Sequence, residues 1–151
     1  MKSISSKTIA LIAICTTLFS FSPKPGGEGF EISLNNKVIL QQYGGDMNTV
    51  KSLKLTQSSA SDHLSIKYHH CGKVGKNRVI TIKDGQNKVL KEFRYADVTT
   101  PVSAMAINVK DILNLKKRSS TVKLFYASSE LPNGRVLASI NTSGGITARL
   151  Q

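Results

Sequence analysis

The chain has 151 residues, 40% of them apolar, with 21 Lys+Arg against 9 Asp+Glu, a formal charge of +12, two Cys and no Trp. Length and apolar fraction fit one folded domain and exclude a disordered polyelectrolyte. Eleven Gly and 4 Pro exclude collagen-like or low-complexity sequence, and two Cys exclude a small disulfide-stapled scaffold.

Residues 1–22 read as a secretory signal peptide. Lys2 and Lys7 make a basic start, and from Thr8 to Phe21 the chain is uncharged and apolar or small, a run of about 14 residues. A bilayer span takes about 20, and no polar stripe interrupts the run as it would in a surface helix. Ile14 before Cys15, and Leu18 and Phe19 after it, argue against a lipid-modified cysteine. Residues 23–29, PKPGGEG, follow as a flexible leader into a β domain over 30–151. The expectation is an exported protein (periplasmic, cell-surface or secreted) with no transmembrane segment after cleavage. Cys71 is then its single thiol, and it has no internal disulfide.

Period-two alternation begins at Phe30. Phe30–Leu34 and Lys37–Leu40 flank Asn35-Asn36, a pair that tolerates the left-handed backbone of a tight hairpin. Strands follow near 50–56 and 63–70. A second hairpin joins Val79–Ile82 to Lys88–Leu90 through a turn marked by Asp84-Gly85. Further strands fall at 104–109, 121–127 and 135–140, with turn-rich stretches at 43–46, 57–62, 71–77 and 131–134. Val109–Lys116 is the one helical segment, with Asp111 as a cap for a single turn. The pattern predicts an all-β fold: an antiparallel β-sandwich of about eight strands, Ig-like or jelly-roll-like. The element order also resembles that of jelly-roll sugar-binding domains, through the strand, Asn/Gly turn, strand unit, a resemblance that carries over no ligand residues. An internal repeat can be laid across the chain, placing Tyr68 on Tyr126 and His69-His70-Cys71 on Ala127-Ser128-Ser129. Unrelated β segments give similar correspondences.

Two constellations carry chemistry. His69, His70 and Cys71 are consecutive; strand parity puts His69 and Cys71 on one outer face and sends His70 inward or to the strand end. Imidazole and thiolate suit zinc or copper, but two side-by-side ligands need others from elsewhere in the fold. The bland reading is a polar strand end closed by a turn. The second constellation is basic: Lys73, Lys76 and Arg78 in one loop and Lys116, Lys117 and Arg118 in another, able to attract anionic polymers. Outward lysines also keep sheets from pairing edge to edge. No aromatic residues interleave with these loops, which argues against nucleic acid; Tyr43 and Tyr95 offer a small platform for sugar rings. The chain contains no G-x-S-x-G, H-E-x-x-H, phosphate-binding Gly loop or Asp-x-Asp calcium loop. The leading expectation is a non-catalytic exported binding module, without cofactor, for an anionic polysaccharide or envelope surface. The alternatives are a metal-binding protein using His69, His70 and Cys71, and a hydrolase whose acids converge only in the fold.

Overall fold

The computed structural model describes residues 27–115 and 121–141. The segment read as a signal peptide, leader residues 23–26 and the Lys116-Lys117-Arg118 run lie outside the described residues. In chain order the elements are β1 (Gly29–Leu34), β2 (Lys37–Tyr43), β3 (Lys51–Lys54), β4 (His63–His69), β5 (Val79–Lys83), β6 (Val89–Arg94), β7 (Met105–Asn108), α1 (Val109–Leu115), β8 (Thr121–Ser128) and β9 (Leu131–Asn141). The fold is mostly β, with two sheets ordered β2-β1-β4-β7 and β3-β9-β8-β5-β6 and no closed barrel. Among the described residues no helix is long and apolar enough to cross a membrane.

Alternation decides which side chains turn inward. Phe30 and Ile32 of β1 lie opposite Tyr68 and Ile66 of β4, while Ile80 and Ile82 of β5 lie opposite Tyr126 and Leu124 of β8. These residues join one buried cluster fed by both sheets, which Ile112 and Leu113 of α1 complete. Helix α1 starts at Val109, so Asp111 sits inside the first turn rather than capping it. There it suits the positive end of the helix dipole and pairs with Lys91 at 3.4 Å.

Several expectations need correction. The sheets are not wholly antiparallel, because β3 runs parallel to β9. A hairpin forces neighbouring strands to reverse; β3 is instead reached by a crossing from the edge of one sheet to the edge of the other through the 3-10 turn Gly44–Asn48. The LPNG stretch at 131–134 is not a turn but the start of β9; the reversal falls at Ser129-Glu130, and Gly134 (φ +62) absorbs an irregularity in the β8–β9 register. Asn35 and Asn36 take φ of 47 and 67, as a tight hairpin requires. In the β5–β6 turn it is Asn87 (φ 65), not Gly85, that adopts the left-handed backbone. The Asp84 carboxylate accepts the Gln86 and Lys88 amides there, so an Asx-type turn fixes the loop. Finally, Gly29 of the expected leader belongs to β1, with the Tyr43 ring lying where a side chain at position 29 would go.

Candidate functional site

One end of the molecule gathers three connections: 70–78 between β4 and β5, 95–104 between β6 and β7, and the Ser129-Glu130 turn between β8 and β9. They are tied to each other. The Ser129 amide donates to the Lys76 carbonyl at 2.8 Å, the Lys76 amide to Glu130 at 2.9 Å, and the Asn77 amide to Asp97 at 2.8 Å. The Asn77 side chain donates to the Ser129 hydroxyl at 2.9 Å. Arg78 reaches under this lattice, its guanidinium donating to the Ala96 carbonyl at 2.9 Å and the Ser103 carbonyl at 3.1 Å.

Beneath the loops lies a buried polar stack. Tyr68 of β4 and Tyr126 of β8 stack across the gap between the sheets, and the His70 ring sits 4.7 Å from that of Tyr68. His70 Nε2 lies 2.8 Å from Tyr126 Oη and 3.3 Å from Ser128 Oγ. The Tyr68 hydroxyl donates to Glu28, which also pairs with Arg135 at 3.6 Å. Burial holds the His70 imidazole below its ordinary range, against the opposing pull of Glu130 and Glu28 and with the help of Arg78. Burial likewise raises the Tyr126 and Tyr68 hydroxyls. At neutral pH this is an uncharged imidazole between hydroxyls. The crevice beside it, lined by His70, Gly75, Arg78, Thr100, Ser103 and Tyr126, is too tight to seat a water molecule. The arrangement braces the loops.

The sequence constellation of His69, His70 and Cys71 diverges in space. Strand β4 ends at His69, two residues short of Cys71, so parity does not carry Cys71 onto the same face. Cys71 has φ +52 in an exposed turn, His70 points into the core, and His69 stands edge-on to Tyr43 at 5.7 Å on the outer face of the four-stranded sheet. Among the described residues no group of three or more His, Cys, Asp and Glu is placed to hold a metal ion.

The loop cations do not make one surface either. Arg78 shares inward parity with Ile80 and is 6% exposed, its guanidinium committed to two carbonyls; Nε is buried without a partner. Lys76 lies 4.0 Å from the Asp97 carboxylate, and Lys73 alone of the three stands exposed without a carboxylate partner among the described residues. Tyr95 is no open platform: its hydroxyl donates to the Ala106 carbonyl at 2.9 Å, and burial pushes it up to about 12.

A different group of cations, which sequence reasoning passed over, lies on the outer face of the five-stranded sheet. Lys83 of β5 and Lys123 of β8 stand directly opposite each other. Lys123 Nζ donates to the Asn87 side-chain oxygen at 2.8 Å, and Lys83 Nζ rides 3.5 Å above the Phe125 ring. Ser139 and Ser52 continue the row across β9 and β3, and Lys88 is exposed in the adjoining turn. The signal was outward parity in two segments 40 residues apart; only the register joins them. The chain matches no model of a known protein family and no curated protein.

Proposed function

We propose that this is an exported, non-catalytic binding module of Ig-like sandwich architecture that holds an anionic macromolecule at or beyond the cell envelope. The architecture is supported by topology. The order β9-β8-β5-β6 reproduces the G-F-C-C′ sheet of Ig domains, and β1-β4-β7 reproduces A-B-E; β2 and β3 are additions to that frame. Strands β4 and β8 then correspond to B and F, which antibody domains bridge by a disulfide and this chain bridges by the Tyr68–Tyr126 stack. The basic leader and apolar run of residues 1–22 support export.

The observation that carries the binding reading is how the carboxylates are used. Glu28 holds Tyr68 and Arg135, Asp62 holds Asn35, Asp84 closes its own turn, and Glu130 and Asp97 tie the loop end together. Glu31, Glu92 and Asp111 pair instead with Lys67, Arg94 and Lys91, and Asp97 also lies beside Lys76. With these acids engaged in these ways, the remaining outward lysines set the surface field, which draws polyanions in a salt-sensitive way. Affinity electrophoresis tests this. The protein is run through gels containing sulfated, carboxylated or neutral polysaccharide at low and high salt. Retardation by the anionic gels at low salt only is the expected result; identical mobility in all gels overturns the proposal.

A further inference from the structure

We propose that the row of Lys83 and Lys123 on the outer face of the five-stranded sheet is a binding site for a polyanionic glycan, whose sulfate or carboxylate groups pair with the two ammonium groups. This deepens the binding reading above and rests on it, while moving the site from the loops to the sheet face.

Three observations converge. First, the register sets two like charges directly opposite each other, an arrangement that costs stability. Lysines that guard a sheet against edge pairing belong on edge strands, but β5 and β8 are interior strands, flanked by β6 and β9. Edge protection therefore does not account for this pair. Second, both ammonium groups are positioned, and among the described residues neither has a carboxylate within ion-pair distance. Lys123 is held by the Asn87 amide oxygen and Lys83 by the face of Phe125, both uncharged partners. Asp84, next in sequence to Lys83, has its carboxylate turned to the amides of its own turn. Third, the row continues into groups that suit a sugar chain. Ser139 lies opposite Lys123 and Ser52 opposite Ser139, offering hydroxyls that donate and accept, and Lys88 stands at the adjoining turn. At a strand spacing of about 4.8 Å, the row presents a polar group at each step from β3 through β9 and β8 to β5, and ends at Val89 of β6.

The same face disfavours nucleic acid. Single-stranded nucleic acid is held largely by base stacking on open aromatic rings. Phe125 is already engaged: Lys83 covers it, and Gly134 packs against its Cε1 and Cζ edge so closely that a side chain there would overlap the ring.

The experiment compares the whole protein with two double variants that remove equal charge, Lys83→Gln/Lys123→Gln on the face and Lys73→Gln/Lys76→Gln at the loop end. Heparin is the sulfated probe, dextran the neutral one and a single-stranded oligonucleotide the competing polyanion. The expected result is salt-sensitive heparin binding that weakens about tenfold or more in the face variant and no more than about twofold in the loop variant. Equal losses in both variants, or none in the face variant, overturn the site. Tighter binding of the oligonucleotide than of heparin overturns the glycan assignment. Failure of the unaltered protein to bind any polyanion at low salt overturns the binding reading itself. Lysine acetylation of the unaltered protein with and without heparin gives a readout free of folding effects: Lys83 and Lys123 are expected to be protected and Lys73 to remain reactive, and the reverse pattern refutes the site.

Discussion

Tyr68 and Tyr126 stack with ring centroids 4.4 Å apart and planes 21° from parallel, one ring from each sheet. Two residues on from each, at Ser128 closing β8 and His70 just past β4, a second contact forms at 3.3 Å. The contact joins dispersion between rings to a hydrogen bond that the dry surroundings make costly to lose. Tyr126→Phe keeps the ring but strips His70 Nε2 of its nearer partner, and we expect a loss of about 1–2 kcal/mol. Tyr126→Ala also opens a cavity in the core and should cost about 3–5 kcal/mol. Urea unfolding with an unchanged slope is the measurement; a smaller loss for Ala than for Phe contradicts the packing argument.

His70 makes stability depend on pH in a definite direction. An unfolded imidazole titrates near about 6.5, and burial holds the folded one lower. Between the two values the unfolded chain binds a proton that the native state refuses, so stability falls as pH drops through that window. Unfolding followed from pH 7.5 downward should show this loss. His70→Gln should flatten it; an unaltered slope in that variant removes His70 as the cause.

Arg78 ties two loop segments by donating to the carbonyls of Ala96 and Ser103. Lysine carries the same charge but not the fork that reaches both. Arg78→Lys is expected to destabilise by about 2–3 kcal/mol, with the earliest rise in amide exchange confined to residues 95–104. Uniform exchange across the molecule would mean that Arg78 supports the core rather than the loops.

Gly29 and Gly134 make a contrasting pair. Each has an aromatic ring where a methyl group would go, Tyr43 over Gly29 and Phe125 beside Gly134. Tyr43 is 40% exposed and held at the surface only by Gln41 at its hydroxyl and by the edge of His69, so its ring can yield, whereas Gly134 has φ +62 and a backbone carbonyl 2.8 Å from the methyl position. Gly134→Ala should cost about 2 kcal/mol or more, from strain added to steric overlap, and Gly29→Ala under about 1. Equal costs would show that the Tyr43 ring is fixed. Circular dichroism in the aromatic region would then stay constant through Gly29→Ala.

Much of the strand pattern was legible because alternation is a local signal. Phe30, Ile32, Leu64, Ile66, Ile80 and Ile82 announce their inward face within a few neighbours. The Asn35-Asn36 turn was legible for the same reason. What failed was set by partners distant in sequence. Nothing local shows that β3 meets β9, that Pro132 to Gly134 continue a strand, or that Lys83 faces Lys123. Arg78 was a nearer miss: its parity with Ile80 points it inward, but cationic character outweighed parity in reading it as a surface residue. The neighbours Lys73, Lys76 and Arg78, and likewise His69, His70 and Cys71, were grouped by adjacency. A strand end and a turn sent each group in separate directions.

The parallel pairing of β3 with β9 also bears on when the protein can finish folding. Leu53 finds its partner in Ile140, far along the chain from it. Strand β9 is the latest of the described strands to be made, so the second sheet stays open at that margin while the segments before it are synthesised. Until β9 arrives, β3 has no strand of its own sheet to lie beside, and its amides and carbonyls stay open to water.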